Sequence, residues 1–266
     1  MAIVTISRGP YSGIKALAVR LSEDLDYRLL SREELLASTA QEFGALESQL
    51  ESALTHAPKF LEGRGLGRRH FVYCVQAAMA KAVQRDNVVY YGEAGHLLLK
   101  GIPHHLRVRM VANMEDRVGA AMERCSLRRE KAVQYIQESD KAVEKWVKWV
   151  HGVDINDLAT VDLAINLEHI PIQSACALIA ETADRDFQTT PQSQKIVDDL
   201  VIASQIRAKL GLDRKTSDER IAVEADDGVV TITVNMRFAA EVHRVRDLVS
   251  QIPGVKAIES KIETGQ

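Results

Sequence analysis

Cysteine is scarce in this chain: three occur among 266 residues, Cys74, Cys125 and Cys176, with no C-x-x-C arrangement. That spacing excludes a zinc ribbon and a disulfide framework, so the thiols are expected to be buried small hydrophobes in a reducing compartment. An excess of one charge is lacking too, with 34 Lys and Arg against 37 Asp and Glu and a formal net charge of -3. A chain so balanced is not built to coat nucleic acid or to carry a polybasic membrane anchor, and no nucleic-acid partner is expected. Small anionic ligands stay open. No run approaches the roughly eighteen apolar residues of a membrane span, so no transmembrane segment is expected. The first residues, "MAIVTISR", hold neither a basic leader nor a long apolar stretch, and a cytoplasmic protein is expected. His70, His96, His104 and His105 have no carboxylate or cysteine at ligand spacing, and no metal site is expected.

Apolar residues make up 46% of the chain and charged residues 27%, enough for a sizeable core. The length suits one medium and one small domain. "AIVTIS" (2–7) is a β-branched run that passes through Gly9-Pro10 into apolar residues at helical spacing, Leu17, Leu21 and Leu25. "YRLLS" (27–31), "NVVYY" (87–91), "LRVRMVA" (106–112) and "VDLAIN" (161–166) read as four more strands, with helices between them. Residues 128–150 form a charged helix with Trp146 and Trp149 on nearly one face, where core or lid packing is expected of them. Alternating strands and helices describe a parallel sheet covered on both faces.

The texture changes at "DRDFQTTPQSQK" (184–195), which is polar and reads as a linker. Beyond it come a helix (196–210), two alternating strands around Asp226-Asp227-Gly228, a helix (239–252) and a last strand in "PGVKAIESKIE". The Asp-Gly pair signals a hairpin, so this is a separate α+β unit. The expected division is 1–183, a linker at 184–195, and 196–266.

The stretch "RGPYSGIK" (8–15) follows a strand and opens a helix, where backbone N–H groups and the positive helix end converge on one point. Against the pattern G-x-x-x-x-G-K counted from Gly9, Lys15 is right and Ile14 stands where glycine belongs. Gly13 could serve by a one-residue slip, and Ile14→Gly is expected to preserve or improve phosphate binding. Ala16 and Leu17 offer no hydroxyl to magnesium. The alternative is an ordinary strand-to-helix turn with a solvated lysine.

With "VTISRGPYSGIK", "YRLLSREELL", "RDNVVYYGEAGHLLL", "LRVRMVANMEDRV" and "VDLAINLEHIPIQSACALI" in this order, residues 2–183 resemble the cytidylate kinase-like family of P-loop nucleoside monophosphate kinases. Residues 195–263 resemble a BON domain, with Asn235 where that family often has glycine. The resemblance implies a P-loop NTPase-type five-stranded parallel sheet with helices on both faces and a helical lid, followed by the small α+β unit. It implies ATP at Gly9, Pro10, Tyr11, Ser12, Gly13, Ile14, Lys15 and Ala16, with Mg²⁺ held through phosphates and water. It further implies a pyrimidine monophosphate opposite, met by Ser31, Arg32, Gly92, Gly95 and His96, and in-line γ-phosphoryl transfer. His104 and His105, after Pro103, read as an exposed loop.

One departure weighs on activity. The lid helix of cytidylate kinases carries arginines in a pattern like R-D-x-x-D-R-x-R, whereas "IQESDKAV" (136–143) keeps Asp140 and a basic Lys141, while Ile136 and Val143, with Ser139 between them, carry no charge where that helix is arginine-rich. Such cations neutralise the transferring group. Arg117, Arg124, Arg128 and Arg129 are the candidate substitutes, or else a solvated helix face. The BON-like unit has mixed charge and no basic lipid patch, which suggests a protein or small-ligand contact, and its hairpin edge leaves a homodimer open. Two readings stand: a kinase acting on CMP or dCMP, and a nucleotide sensor that binds without efficient turnover and signals through the BON domain.

Overall fold

The computed structural model describes residues 1–8, 14–55, 66–213, 216, 221–235 and 242–263. It divides into two compact units, Met1–Leu35 with Thr55–Ala57 and Arg85–Thr189, and Leu36–Leu54 with Pro58–Gln84 and Thr190–Gln266.

The first unit is built on a sheet of β1 (Ile3–Arg8), β2 (Arg28–Ser31), β3 (Val88–Tyr91), β4 (His105–Val111) and β5 (Leu163–Asn166). The strand order is β2-β3-β1-β4-β5 and every pairing is parallel. Helices flank it, as parallel crossovers require. Val4 and Ile6, Val89, Leu106, Val108 and Met110, and Ile165 form one core with α1 (Ile14–Leu25) and α7 (Ile172–Asp186). The opposite face departs from the expected apolar run: Thr5 and Ser7 on β1 and His105 on β4 are all buried there. Their polar groups are paired, Ser7 Oγ donating to Val108 O and Thr5 Oγ1 lying 2.7 Å from His105 Nε2. His104 and His105, expected in an exposed loop, are therefore interior residues, 1% and 3% exposed. The reason is distant in sequence: Asp86 holds His104 Nε2 at 2.9 Å, and Leu99 O faces His105 Nδ1 at 3.3 Å.

Two further helices of this unit, α5 (Met114–Cys125) and α6 (Arg129–His151), pack through Val118, Ala121, Ala132 and Ile136. Trp146 is buried and meets His151 edge to face at 5.6 Å, while Trp149 is half-buried. Cys74 and Cys176 are buried, and Cys125, expected to be buried as well, is exposed at the end of α5.

The second unit contains the end of α2 (Arg32–Phe43), α3 (Glu47–Thr55) up to Leu54, α4 (Leu66–Val83), and α8 (Pro191–Leu212) with the strands and helix that come after it. The stretch 184–195 carries the last turn of α7 and the start of α8. Thr190 and Ser193 form a capping box ahead of Pro191, so polar residues that look like a linker start a helix. α8 packs along α4, with Cys74, Ala77 and Ala208 buried between them. Its other face meets the sheet of β6 (Ala222–Asp226), β7 (Val229–Asn235) and β8 (Ala257–Glu263), and α9 (Val242–Ser250) closes that core through Val245 and Val249. At the hairpin tip Asp227 and Gly228 both have positive φ, 47° and 77°, as a type I′ turn needs. The Asp199 carboxylate accepts hydrogen bonds from both of their backbone N–H groups. No helix among the described residues is long and apolar enough to cross a membrane.

Candidate nucleotide site

The loop residues Gly9, Pro10, Tyr11, Ser12 and Gly13 lie outside the described residues. Directly after them α1 starts at Ile14, whose side chain is fully buried in the core of the first unit, while Lys15 and Ala16 are exposed on its first turn. Ile14 is thus a packing residue, and a lysine with its ammonium in solvent stands at the positive end of a twelve-residue helix. That pairing suits a phosphate. The correction falls on Ile14→Gly, which removes a core side chain and is no neutral adjustment of the loop.

At the carboxyl edge of β2, Ser31 Oγ accepts a hydrogen bond from Glu34 N at 3.0 Å and so caps α2. Arg32 comes next, 18% exposed in its side chain, with Nη1 3.8 Å from Glu93 Oε2. Arg32 Nη2 is buried with no hydrogen-bond partner among the described residues. A buried, half-satisfied guanidinium is a poised anion receptor. Glu93 faces it, and an anion binding Arg32 would compete with that carboxylate. Sequence reasoning does not single out Glu93, although it stands directly after Gly92 in "GEAGH". Glu93→Gln is therefore expected to tighten binding of a nucleoside monophosphate by about 5- to 30-fold, in line with roughly 1–2 kcal/mol for relieved competition and charge repulsion. Calorimetric titration with CMP measures it, and an unchanged affinity would place the monophosphate elsewhere.

The two glycines of the next segment have steric reasons. Gly92 N donates to Ile6 O at 3.1 Å, and a Cβ on Gly92 would sit 2.4 Å from Tyr90 Oη and 3.2 Å from Arg32 Cβ. A Cβ on Gly95 would sit 2.1 Å from Tyr90 Cε1. The buried tyrosine ring therefore lies against both glycines and fixes the 3-10 turn Gly95–Leu98 after β3. Gly95→Ala is expected to cost about 1–3 kcal/mol by overpacking. Urea denaturation of the variant tests this, and a wild-type midpoint would contradict the packing described.

His96 is 3% exposed, and both its ring nitrogens lack a hydrogen-bond partner among the described residues. It lines a cavity whose walls come from 96–107, 153–162 and Phe187, and neither Ser31, Arg32 nor Gly92 borders that space. Burial, with Arg107 and Arg109 nearby, pushes its pKa down to about 4.

The four candidate lid cations separate into two kinds. Arg117 forms a two-pronged pair with Asp140 at 2.7 and 3.0 Å, and Arg129 is held by Glu115 at 2.6 Å. Arg124 and Arg128 are exposed, with no ion pair among the described residues. Ile136, at the first position where an arginine was expected, is fully buried between α5 and α6, and Ser139 and Val143 are half-buried. The hairpin thus uses these positions for packing. Among the described residues no group of three or more His, Cys, Asp or Glu could hold a metal ion.

Comparison with known proteins places both parts of the chain in families. Residues 3–169 match the cytidylate kinase-like family and residues 198–266 match the BON domain. A cytidylate kinase of Methanosarcina acetivorans is 26% identical over 171 residues, covering 62% of this chain and 87% of that protein. Another from Methanothrix thermoacetophila is 25% identical over 165 residues, with the same coverage of 62% and 87%. A solved structure of an uncharacterized protein from Eubacterium ventriosum superposes with a TM-score of 0.54 at 17% identity, over 69% of this chain and 98% of its own. That likeness speaks to the fold alone. The chain therefore belongs to the cytidylate kinase-like family, with a BON domain fused behind its kinase-like fold.

Proposed function

We propose that residues 1–183 bind ATP and a pyrimidine nucleoside monophosphate, CMP or dCMP, and transfer the γ-phosphoryl group slowly at best. In this reading Lys15 and the start of α1 hold the β- and γ-phosphates, Mg²⁺ rides on those phosphates, and Ser31, Arg32 and Gly92 meet the acceptor. The observation that carries the reading is the state of α5 and α6. Arg117 and Arg129 are already neutralised by Asp140 and Glu115, and Ile136 is core. Cations on the transferring group are worth ~10³-fold or more in rate, and here two of four would first have to leave a carboxylate.

A sensor reading gains from the division of the chain. Leu36–Leu54 and Pro58–Gln84, which lie between β2 and β3 in sequence, group with residues 190–266. α2, which Arg32 heads, therefore runs on into the unit that holds the BON domain. We assign the BON domain (196–266) the role of reporting nucleotide occupancy to a protein or small-ligand partner.

Calorimetry with a non-hydrolysable ATP analogue plus Mg²⁺, and separately with CMP, dCMP and UMP, tests the proposal. Micromolar binding of the triphosphate and one monophosphate is expected, with turnover ~10³-fold or more below efficient kinases of this class. Lys15→Ala should weaken the triphosphate by about 10- to 100-fold, the worth of a charge-assisted contact. Triphosphate binding alone would leave the sensor, and no nucleotide binding would overturn both readings.

A further inference from the structure

The face of the first unit's sheet that carries His105, Arg107 and Arg109 holds a cavity of about 540 Å³. That volume is in the range of sites for small organic ligands. Its walls are largely apolar, from Leu97, Ile102, Pro103, Val153 and Phe187. Into this space is set His96, whose two ring nitrogens have no partner among the described residues although the side chain is almost wholly buried. A buried imidazole left in that condition costs about 1–3 kcal/mol per unmet group, so it is expected where a ligand supplies the missing bond.

The charges around the cavity narrow the chemistry. Arg107 lines it, but its guanidinium is engaged by Asp162 through Nε at 2.9 Å and Nη2 at 2.6 Å, while its backbone N–H donates to the same carboxylate. The second arginine of the strand, Arg109, is turned to Ile155 O and Asn156 Oδ1. Lys100 is exposed at the cavity and has no ion pair among the described residues. One positive charge is therefore uncommitted. Burial does most to disfavour the charged form of His96, and Arg107, Arg109 and Lys100 act in the same direction against Asp162. A dianion would bring a second negative charge toward Asp162 with no second uncommitted cation among the described residues that line the cavity. A monoanion with an apolar body meets both the walls and the single lysine.

The geometry points to a second ligand site in this cavity, specific for a small organic carboxylate whose apolar body packs on Leu97, Ile102 and Phe187 while its head group engages Lys100 and His96. The site is separate from the nucleotide reading and stands or falls without it. His96 donates one ring N–H to the carboxylate, and Lys100 supplies the charge at the mouth.

Histidine-selective NMR on the full chain tests this, with the His96 ring signals identified by their absence in His96→Gln. Benzoate is the probe, benzyl alcohol its uncharged counterpart and inorganic phosphate the competing anion. Benzoate is expected to shift the His96 signals saturably at millimolar or lower concentration, with benzyl alcohol and phosphate at least tenfold weaker. Lys100→Gln, a change at an exposed position, should weaken benzoate at least tenfold with the fold intact. Should His96→Gln fail to fold, the Lys100→Gln comparison on all shifting histidine signals keeps the test. No saturable shift with benzoate, equal binding of benzyl alcohol or of phosphate, or a Lys100→Gln affinity equal to wild type would each overturn the assignment.

Discussion

Lowering the pH from 7 to 5 is expected to destabilise the first unit by up to about 6 kcal/mol. His96, His105 and His151 are held neutral by burial, with pKa values pushed down from 6.5 to about 4, 3 and 4. Between those values and 6.5 the unfolded chain takes up a proton that the folded chain refuses, so stability rises with pH. It is complete above about 6.5 and drains away as the pH falls toward 4. At pH 5 each imidazole lies about 1.5 units below its unfolded pKa, which is roughly 2 kcal/mol apiece. Carboxylates held low by arginine or lysine, such as Asp162 and Asp227, act only below about pH 4 and leave this window to the histidines. Urea denaturation of the full chain at pH 7, 6 and 5, followed by the fluorescence of the tryptophans on α6, measures the effect. A flat profile would mean that these rings are solvated or already charged.

Ile14→Gly is expected to destabilise the first unit by about 3–5 kcal/mol, while Lys15→Ala next to it leaves stability within about 0.5 kcal/mol. Ile14 is fully buried against Leu17, Leu21 and the strands of the core, so its loss opens a cavity. Lys15 is exposed, so its loss touches only what binds there. Two adjacent residues of one motif thus separate cleanly: the first change should lower the denaturation midpoint, the second should lower triphosphate affinity. A stable Ile14→Gly protein with improved binding would restore the view that this position belongs to the phosphate loop.

The strands were legible because each is a short apolar or β-branched run bounded by a turn, and four of the five in the first unit fall within one residue of the expected boundaries at each end. The Asp-Gly hairpin was legible because positive φ at two successive positions demands such residues. What escaped was set by distant partners. His104 and His105 look like loop residues until Asp86 and Thr5, the latter 100 residues away, are brought to them. The start of α8 hid inside polar residues, since composition does not distinguish an exposed helical turn from a linker, although the Thr190–Ser193 cap was present to be read. At the candidate site, Lys15 and Arg32 stood out by residue type. The acidic neighbours are another matter: Glu93 gains meaning only once the fold sets it beside Arg32, and Asp140, kept from the lid pattern, is seen to hold Arg117 only in the fold.

The strand order β2-β3-β1-β4-β5 has a consequence for synthesis. β1 lies at the centre, and its neighbours are distant along the chain: Ile3 pairs with Val88 on one side and His105 on the other. At about 5–20 residues per second, roughly 5–20 s pass between translation of β1 and translation of the second strand that covers it. Until β3 is made this β-branched segment has two open edges, and until β4 follows it still has one, a ready template for mispairing. Non-local pairing of this kind also slows folding once the chain is complete. Both edges of β1 are closed only once β4 has emerged.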